Sequence, residues 1–319
     1  MLKNMRNHKT FIIAEVGVNH NGNISIAKKL IDIAKRAGCD FVKFQSYRSD
    51  YLVRKNENII GYQKKNIKKK ISQYKLLKKF ELSPKDHEVL LRYCKKKKIS
   101  FLSSPFDTES LKLLFKLKVF NIKVASGEIT HYLLLKEIAK KAKKIFLSSG
   151  MSNLNEINNA VKTLIKYGAK KNNICILHCH SDYPTKLSDV NLLALKDIKN
   201  KLKINVGYSD HTLGNETAIA AVAMGANVIE KHITLNKKMY GPDHAASMEP
   251  EYFYDFVRSI RNTEILLGSN QKKPTKTELK IRKLVRKSIV AKIKITKGDT
   301  FTSKNIISKR PEGGIPSLS

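Results

Sequence analysis

The regular alternation of short apolar segments with amphipathic ones is the feature of this sequence that most constrains its fold. Helical periodicity separates the apolar segments, as in residues 24–37 before Gly38. Such alternation predicts strand–helix units and a parallel sheet. Eight units in roughly 250 residues are typical of a (β/α)8 TIM barrel, with a doubly wound open sheet as the alternative. The predicted strands are Phe11–Gly17, Phe41–Gln45, Ile99–Ser104, Phe120–Ser126, Lys144–Gly150, Ile174–His180, Lys203–Ser209 and Asn227–Ile233.

The pattern changes after the last predicted barrel helix. We expect a TIM-barrel domain over residues 1–267, a polar linker over 268–280 and a small β-rich module over 281–319. Within this module, residues 288–311 predict a strand, a Lys-Gly-Asp turn, a short capped segment and a second strand. The module is too short to bury much of a core alone.

Charge suggests a nucleic-acid ligand at first, because 62 Lys and Arg residues oppose 27 Asp and Glu residues, a formal net charge of +35. The basic residues are spread along the whole chain, and most are lysines, which recognise bases and phosphates less specifically than arginines do. The chain also has no tryptophan. We therefore expect no nucleic-acid partner, and expect the positive field to attract an anionic substrate.

The sequence also predicts where the protein resides. Residues 1–10 are polar and lead directly into a strand, so we expect no signal peptide. No apolar run approaches the ~20 residues of a spanning helix, and no membrane partner is expected. The cysteines lack metal-binding or CxxC spacing, which favours reduced thiols in the cytoplasm. They are Cys39, Cys94, Cys175 and Cys179.

Polar side chains accumulate where the predicted strands end. In barrel enzymes the chemistry takes place at the C-terminal ends of the strands. Ionisable groups at seven of the eight strand ends therefore predict an enzyme rather than a purely structural barrel. The polar residues at these ends are Glu15, Lys43, Gln45, Ser103, Ser104, Lys123, Ser126, Glu128, Ser148, Ser149, His178, His180, Ser181, Tyr183, Ser209, Asp210, His211, Glu230, Lys231 and His232, followed in a loop by Asp243.

Two lysines and two histidines carry most of the chemical prediction. Lys43 and Lys123 alternate with apolar neighbours, and inward-pointing lysines beside serine hydroxyls suit a phosphate or carboxylate. His211 and His232 end adjacent strands, so their imidazoles are predicted to share a divalent metal such as Mn²⁺ or Mg²⁺. The alternative for each histidine is a hydrogen-bonded structural role. His87 is expected at the surface.

Nine motifs follow one another along the chain. They are AEVGVNHNG (14–22), VKFQ (42–45), SSPF (103–106), KVASGE (123–128), LSSGM (147–151), LHCHSDYPT (177–185), GYSDHT (207–212), EKHIT (230–234) and GPDHAAS (241–247). Taken together, these motifs closely resemble the sialic acid synthase family, which condenses phosphoenolpyruvate with an N-acetylated hexosamine. The resemblance covers essentially the whole chain and implies a TIM barrel followed by an antifreeze-like (SAF) module. Because the family module extends further past the Arg-Pro step, we expect this one to be truncated.

The resemblance also implies a role for each matching residue. Glu128, Glu15 and Lys123 would be catalytic, and His211 and His232 would bind the metal. Phosphoenolpyruvate would be held by Lys43, Ser104, Lys123, Ser126, Ser148, Ser181 and Ser209. The acceptor sugar would be held by Gln45, Tyr183, Asp243 and Arg310, the last reaching into the partner's barrel of a domain-swapped homodimer.

The implied activity is that of an N-acetylneuraminate synthase. It would join phosphoenolpyruvate, N-acetylmannosamine and water to give sialic acid and phosphate, in a metal-dependent reaction. A legionaminic or pseudaminic acid synthase that uses a 2,4-diacetamido hexose is the alternative, and the loops 47–79 and 235–247 would decide between them. An alternative of another class is a non-catalytic sugar-binding barrel, which the short C-terminal module would favour.

Overall fold

Eight parallel strands close into a barrel in sequence order, which confirms the predicted (β/α)8 architecture. The structure is a computed structural model that describes residues 9–59, 67 and 71–318. The barrel strands are β1 (Phe11–Gly17), β2 (Phe41–Ser46), β3 (Ser100–Pro105), β4 (Asn121–Val124), β5 (Lys144–Ser148), β6 (Ile174–Cys179), β7 (Asn205–Asp210) and β8 (Val228–His232). Their bounds differ from the predicted ones by a few residues at most.

Helices connect the strands, and six of the eleven described helices begin at a side-chain cap. The Asn23 side chain accepts hydrogen bonds from the backbone amides of Ser25 and Ile26 at the first helix, which ends at Gly38 with φ of 85°. The described helices are α1 (Ile24–Ala37), α2 (Ser49–Leu52), α3 (Gln73–Phe80), α4 (Pro84–Lys97), α5 (Thr108–Lys116), α6 (Tyr132–Lys141), α7 (Leu154–Lys166), α8 (Ala194–Leu202), α9 (Glu216–Ala223), α10 (Pro250–Leu266) and α11 (Lys276–Val285). In the described part of the chain, no helix combines the length and the apolar character needed to cross a membrane.

Strand alternation divides the apolar residues into two cores. Outward residues such as Val42 and Phe44 pack in a large core that includes the helices. Inward residues form a smaller apolar layer, the barrel floor, which consists of Ile13, Phe41, Leu102, Phe146, Cys175, Leu177 and Val228. Because a strand repeats its facing every second residue, the next inward positions lie one layer above the floor. Those positions include Glu15, Lys43, Ser104, Ser148 and Glu230.

Two local predictions need correction. His87 is buried, and its ring hydrogen-bonds Ser46 Oγ at 2.7 Å and the Ser83 carbonyl at 2.9 Å. Helix α11 begins inside the segment predicted as a linker. None of its residues is buried, and the capping box of Thr275 and Glu278 was the usable signal for its start.

The chain divides into two compact units, Met1–Leu267 and Gly268–Ser319. The second contains a three-stranded antiparallel sheet in which β9 (Ser288–Ala291) lies between β10 (Ile306–Lys309) and β11 (Ile315–Pro316). The Ser288 hydroxyl accepts hydrogen bonds from two successive amides, Gly313 and Gly314, each at 3.0 Å. The predicted Lys-Gly-Asp turn is present, with Gly298 at φ of 100°.

A buried ion pair on the outer side of the barrel wall stabilises the loop after β7. Lys231 Nζ lies 2.7 Å from Asp210 Oδ2 and donates to the Thr212 carbonyl at 2.6 Å. Asp210 Oδ1 in turn accepts from the Thr212 amide at 2.9 Å. Lys231 and Asp210, both named as strand-end residues, therefore hold the loop rather than line the cavity.

We predict that Asp210→Asn destabilises the protein strongly. Removing one partner of a buried ion pair leaves the Lys231 ammonium uncompensated, at a cost of about 3 kcal/mol. Urea unfolding should reveal this loss. Asp197→Asn is the matched control, because it breaks the exposed pair with Lys201, whose atoms lie 3.0 Å apart, and should change little. Equal effects of the two variants would contradict the assignment.

Candidate active site

The polar ends of the barrel strands surround one cavity of about 590 Å³, a size typical of small-molecule sites. Every site residue predicted within the barrel lines it. They are Glu15, Lys43, Gln45, Ser104, Lys123, Ser126, Glu128, Ser148, Ser181, Tyr183, Ser209, His211, His232 and Asp243. The structure thus brings together residues that are up to 228 positions apart in sequence, from Glu15 to Asp243.

Glu230 is the centre of a buried charged cluster directly above the barrel floor. Its Oε1 lies 3.1 Å from Lys43 Nζ and 3.6 Å from Lys123 Nζ, and it accepts a hydrogen bond from Ser209 Oγ at 3.0 Å. Lys43 Nζ is also 3.3 Å from Glu15 Oε1. Both lysines are therefore held at the bottom of the cavity by carboxylates. Lys43 also donates to Ser104 Oγ at 3.4 Å, so its three N–H groups have partners, whereas Lys123 keeps N–H donors for an anion.

Burial and charge act differently on these four groups. Burial raises the pKa of Glu230, but Lys123 and Lys43 outweigh it and lower that pKa to about 2. At Glu15 burial dominates over the opposing effect of Lys43, and the pKa rises to about 7. Burial also lowers the pKa of Lys123, with partial compensation by Glu230. An anionic ligand would supply the missing negative charge beside Lys123.

Serine hydroxyls and a glycine form a small cradle beside the lysines. The Gly150 amide donates to Ser126 Oγ at 3.1 Å, and Ser126 Oγ lies 3.2 Å from Cys179 Sγ. A Cβ at Gly150 would overlap Ser181 Oγ and lie 2.8 Å from Ser126 Oγ. Glycine is therefore required for the hydroxyls to converge here, and such clustered donors suit phosphate or carboxylate oxygens.

The two predicted metal ligands lie side by side. Their ring centroids are 5.5 Å apart, and His211 Nδ1 donates to the His180 carbonyl at 2.6 Å, which leaves its Nε2 lone pair available. His232 Nδ1 is buried without a hydrogen-bond partner among the described residues. Burial lowers the pKa of His211 to about 4, and burial together with His211 lowers that of His232 well below 6.5.

Two neutral imidazoles with free lone pairs fit a divalent metal. The described residues contain no group of three or more His, Cys, Asp or Glu side chains placed to hold one. Any metal bound by His211 and His232 would therefore take its other ligands from water or substrate oxygens.

The residues predicted to hold the sugar lie around the histidines. The Tyr183 ring is 4.1 Å from the His211 ring and 5.6 Å from the His232 ring, measured between centroids. Asp243 is buried, its Oδ1 has no partner among the described residues, and burial raises its pKa to about 6. Gln45 pairs with Ser104 in the register of β2 and β3.

Glu128 lies in a short turn after β4 and is paired with a residue that the sequence did not single out. His131 Nδ1 donates to Glu128 Oε2 at 2.7 Å. Burial raises the pKa of Glu128, and His131 opposes this rise. The pair could hold a water molecule or a proton at the edge of the cavity.

Polar residues from several motifs form a network that holds the loop carrying Asp243. His244 hydrogen-bonds Thr234 Oγ1 at 2.6 Å and Asn21 Oδ1 at 3.1 Å. Asn19 Nδ2 donates to the Ile233 carbonyl at 2.9 Å and to Ser247 Oγ at 2.8 Å. The Asn-His-Asn motif after β1 is therefore structural, since it fixes the loop after β8.

Some predicted residues lie elsewhere. Arg310 follows β10 in the second unit and is exposed. His178 hydrogen-bonds the Val190 carbonyl at 2.8 Å, and Ser103 Oγ bonds the Phe44 carbonyl and Ser46 rather than lining the cavity. Glu230 was not assigned a role from the sequence. The alternation of β8 was the available signal, because Glu230 shares its face with His232.

Comparison with known proteins shows the family of this chain. The NeuB family sequence model matches residues 30–272. The chain belongs to the NeuB family. A NeuB relative from Campylobacter jejuni, N,N′-diacetyllegionaminic acid synthase, is 48% identical over 97% of this chain and 93% of its own. Human N-acetylneuraminate-9-phosphate synthase is 35% identical over 97% of this chain and 86% of its own.

A solved NeuB-type structure shares the fold. N-acetylneuraminic acid synthetase from Leptospira borgpetersenii, in complex with citrate, has a TM-score of 0.77 at 33% identity, covering 86% of this chain and 90% of that one. The resemblance to the sialic acid synthase family is thereby confirmed. So is the prediction of a phosphoenolpyruvate-dependent enzyme that forms a carbon–carbon bond. The alternative of a non-catalytic barrel is not supported.

We predict that Gly150→Ala weakens phosphoenolpyruvate binding at least tenfold without unfolding the barrel. The added methyl group would displace the hydroxyls of Ser126 and Ser181, which approach Gly150 closely. Calorimetric titration with phosphoenolpyruvate would measure the change. Gly313→Ala is the control, because its Cβ would meet no atom within 4 Å. Unchanged affinity in Gly150→Ala would argue against an anion site here.

We predict that Asp243 makes stability depend on pH. Its pKa is about 6 in the folded protein against an ordinary value of 3.8, so the folded state keeps a proton that the unfolded chain has released. The free energy of unfolding therefore falls as the pH rises from about 4 to 6, by about 3 kcal/mol. In Asp243→Asn this contribution is absent. Parallel pH profiles for the two proteins in urea unfolding would contradict the burial of an ionisable carboxyl group.

Proposed function

We propose that this NeuB-family enzyme is an N,N′-diacetyllegionaminic acid synthase that joins phosphoenolpyruvate to a 2,4-diacetamido hexose. The observation that carries the proposal is the 48% identity to the Campylobacter jejuni synthase, against 35% for the human N-acetylneuraminate-9-phosphate synthase. The comparison therefore favours the alternative acceptor over N-acetylmannosamine, which was the first expectation from the sequence.

Phosphoenolpyruvate would lie at the bottom of the cavity. Lys43 and Lys123 would bind its phosphate and carboxylate, which restores charge balance beside Lys123. The hydroxyls that complete this binding site would be those of Ser104, Ser126, Ser148, Ser181 and Ser209. Fixing both substrates in attack geometry supplies much of the rate enhancement in a two-substrate condensation.

The acceptor would bind in its open-chain form, with its aldehyde near the histidines. Tyr183, Asp243 and Gln45 would orient it. A divalent cation such as Mn²⁺ or Mg²⁺, bound by His211 and His232, would polarise the aldehyde. Glu15, with its pKa of about 7, is able to hold a proton near neutral pH and deliver it to the new hydroxyl group.

The reaction balances as one bond-forming addition followed by hydrolysis. The enol carbon C3 bonds to the aldehyde carbon, whose oxygen takes up a proton. Water then adds at C2, and the tetrahedral centre releases inorganic phosphate and leaves the keto acid. Glu128 would orient that water and accept its proton, while Lys43 and Lys123 would stabilise the departing phosphate.

Three further features belong to this proposal. The second unit would be an antifreeze-like module, and Arg310 would contact the acceptor of the partner subunit in a domain-swapped homodimer. The resemblance to the family supports both. A cytoplasmic location is supported by the four cysteines, all of which are free thiols.

The proposal is tested by phosphate release combined with the mass of the product. The full chain, phosphoenolpyruvate and Mn²⁺ are incubated with either a 2,4-diacetamido hexose or N-acetylmannosamine, and a metal-stripped sample runs in parallel. We expect metal-dependent turnover with a kcat/KM at least tenfold higher for the diacetamido sugar. Lys123→Met should abolish phosphoenolpyruvate binding. A preference for N-acetylmannosamine would instead make this a sialic acid synthase.

A further inference from the structure

One side of the cavity is built from side chains that none of the roles above uses. The segment between β2 and β3, together with Phe106 directly after β3, contributes mainly apolar residues to the lining. We call this set the apolar wall, and it consists of Leu52, Val53, Leu76, Leu77, Phe80 and Phe106. It lines the same cavity as the lysines and histidines, but it is carried by an insertion rather than by the barrel strands.

The apolar wall is fixed in place by its own small core and by hydrogen bonds. Leu76 and Phe80 on α3 pack in a cluster with Val18 and Tyr47 from the barrel loops. Tyr47 Oη donates to the Leu77 carbonyl at 3.0 Å. At the start of α2, the Ser49 amide and hydroxyl both donate to Glu81 Oε2, at 2.9 and 2.7 Å. The wall is thus a preformed surface, which is what selective binding requires.

Gln73 is the buried polar residue on this side of the cavity, which the exposed residues Glu57 and Asn58 also line. It is the first residue of α3, lines the cavity and is only 7% exposed. Its side-chain Oε1 has no hydrogen-bond partner among the described residues. Buried acceptors in native proteins nearly always receive a hydrogen bond. Because Gln73 lines the cavity, a small turn of its side chain would present this unpaired oxygen to an N–H or O–H donor of a ligand.

We propose that the apolar wall and Gln73 bind the end of the acceptor sugar remote from its aldehyde. They would select an acetamido group at C4 and a methyl group at C6. The C4 amide N–H would donate to Gln73 Oε1, while the acetyl and C6 methyl groups would pack on Leu76, Phe80 and their neighbours. This assignment rests on the proposed function, which places the aldehyde beside the histidines.

Charge explains why a phosphorylated acceptor would be disfavoured. Among the described residues that line the cavity, the lysines are Lys43 and Lys123, both at the ends of barrel strands. The segment that carries the apolar wall adds the carboxylate of Glu57 instead. A phosphate at C6 would therefore lose water against apolar and acidic side chains without gaining a cationic partner.

The test compares acceptors in wild type and in Gln73→Met, which keeps the side-chain size but removes the amide. For the diacetamido hexose we expect kcat/KM to fall about tenfold, through KM, because the donor of the sugar loses its acceptor. For phosphoenolpyruvate the value should change less than threefold, because Gln73 lies outside its binding site. N-acetylmannosamine should also lose activity, since its C4 hydroxyl is a donor at the same position. Lys75→Met is the matched control, since it places the same residue at an exposed position of α3 outside the cavity lining.

A second variant tests the charge argument independently. Val53→Lys adds a cation to the apolar wall and should raise kcat/KM for N-acetylmannosamine 6-phosphate about tenfold over wild type, with thermal unfolding confirming an intact fold. If Gln73→Met keeps the wild-type kcat/KM for the diacetamido hexose, or Val53→Lys gains nothing with the phosphorylated sugar, the inference is wrong and the proposed function still stands. A wild-type enzyme without any preference for the diacetamido hexose would overturn both.

Discussion

The contact of one buried carboxylate with two buried ammonium groups is the interaction on which the whole site depends. Glu230 neutralises part of the charge of Lys43 and Lys123 in a place where water is largely excluded. Without it, Lys123 would favour the neutral amine, because burial and the nearby Lys43 both disfavour its charge. With it, the two ammonium groups stay close together, and Lys123 retains N–H donors for an anionic group of phosphoenolpyruvate. Buried ion pairs of this kind contribute little to stability by themselves, so their value here is chemical.

The cluster can exist only because the barrel separates an apolar layer from a polar one. Ile13, Phe41 and Val228 in the barrel floor lie two residues before Glu15, Lys43 and Glu230 on the same strands. The two-residue repeat of a strand thus assigns each layer by sequence position alone. Lys231 and Asp210 occupy the alternate strand positions, which face the outer side of the barrel. There they hold the loop that carries His211. One strand therefore serves catalysis with one face and loop stability with the other.

Much of this arrangement follows from the sequence, because strand alternation is a local property. The bounds of β1 and α1 match the prediction residue for residue, and the inward facing of Lys43 and Lys123 could be predicted from their apolar neighbours. The central position of Glu230 could not, since only closure of the barrel brings Lys43 and Lys123 to it. His87 was misplaced for a related reason: only the packed structure brings Ser46 to its ring. Helix α11 was missed because the polar residues before it indicated a linker, although a capping box marks its start.

The residues of the loop between β2 and β3 gave no chemical motif at all, and Gln73 is recognisable only because the folded chain leaves its oxygen unpaired.

The loop between β2 and β3 also separates acceptor binding from the chemistry of the barrel. The groups that handle phosphate and metal are on the strands, whereas the apolar wall is on an insertion with a separate small core. Substitutions in the insertion can therefore accumulate without disturbing the barrel chemistry. A change of acceptor therefore requires substitutions in one segment, whereas the groups that handle phosphate and metal can stay the same.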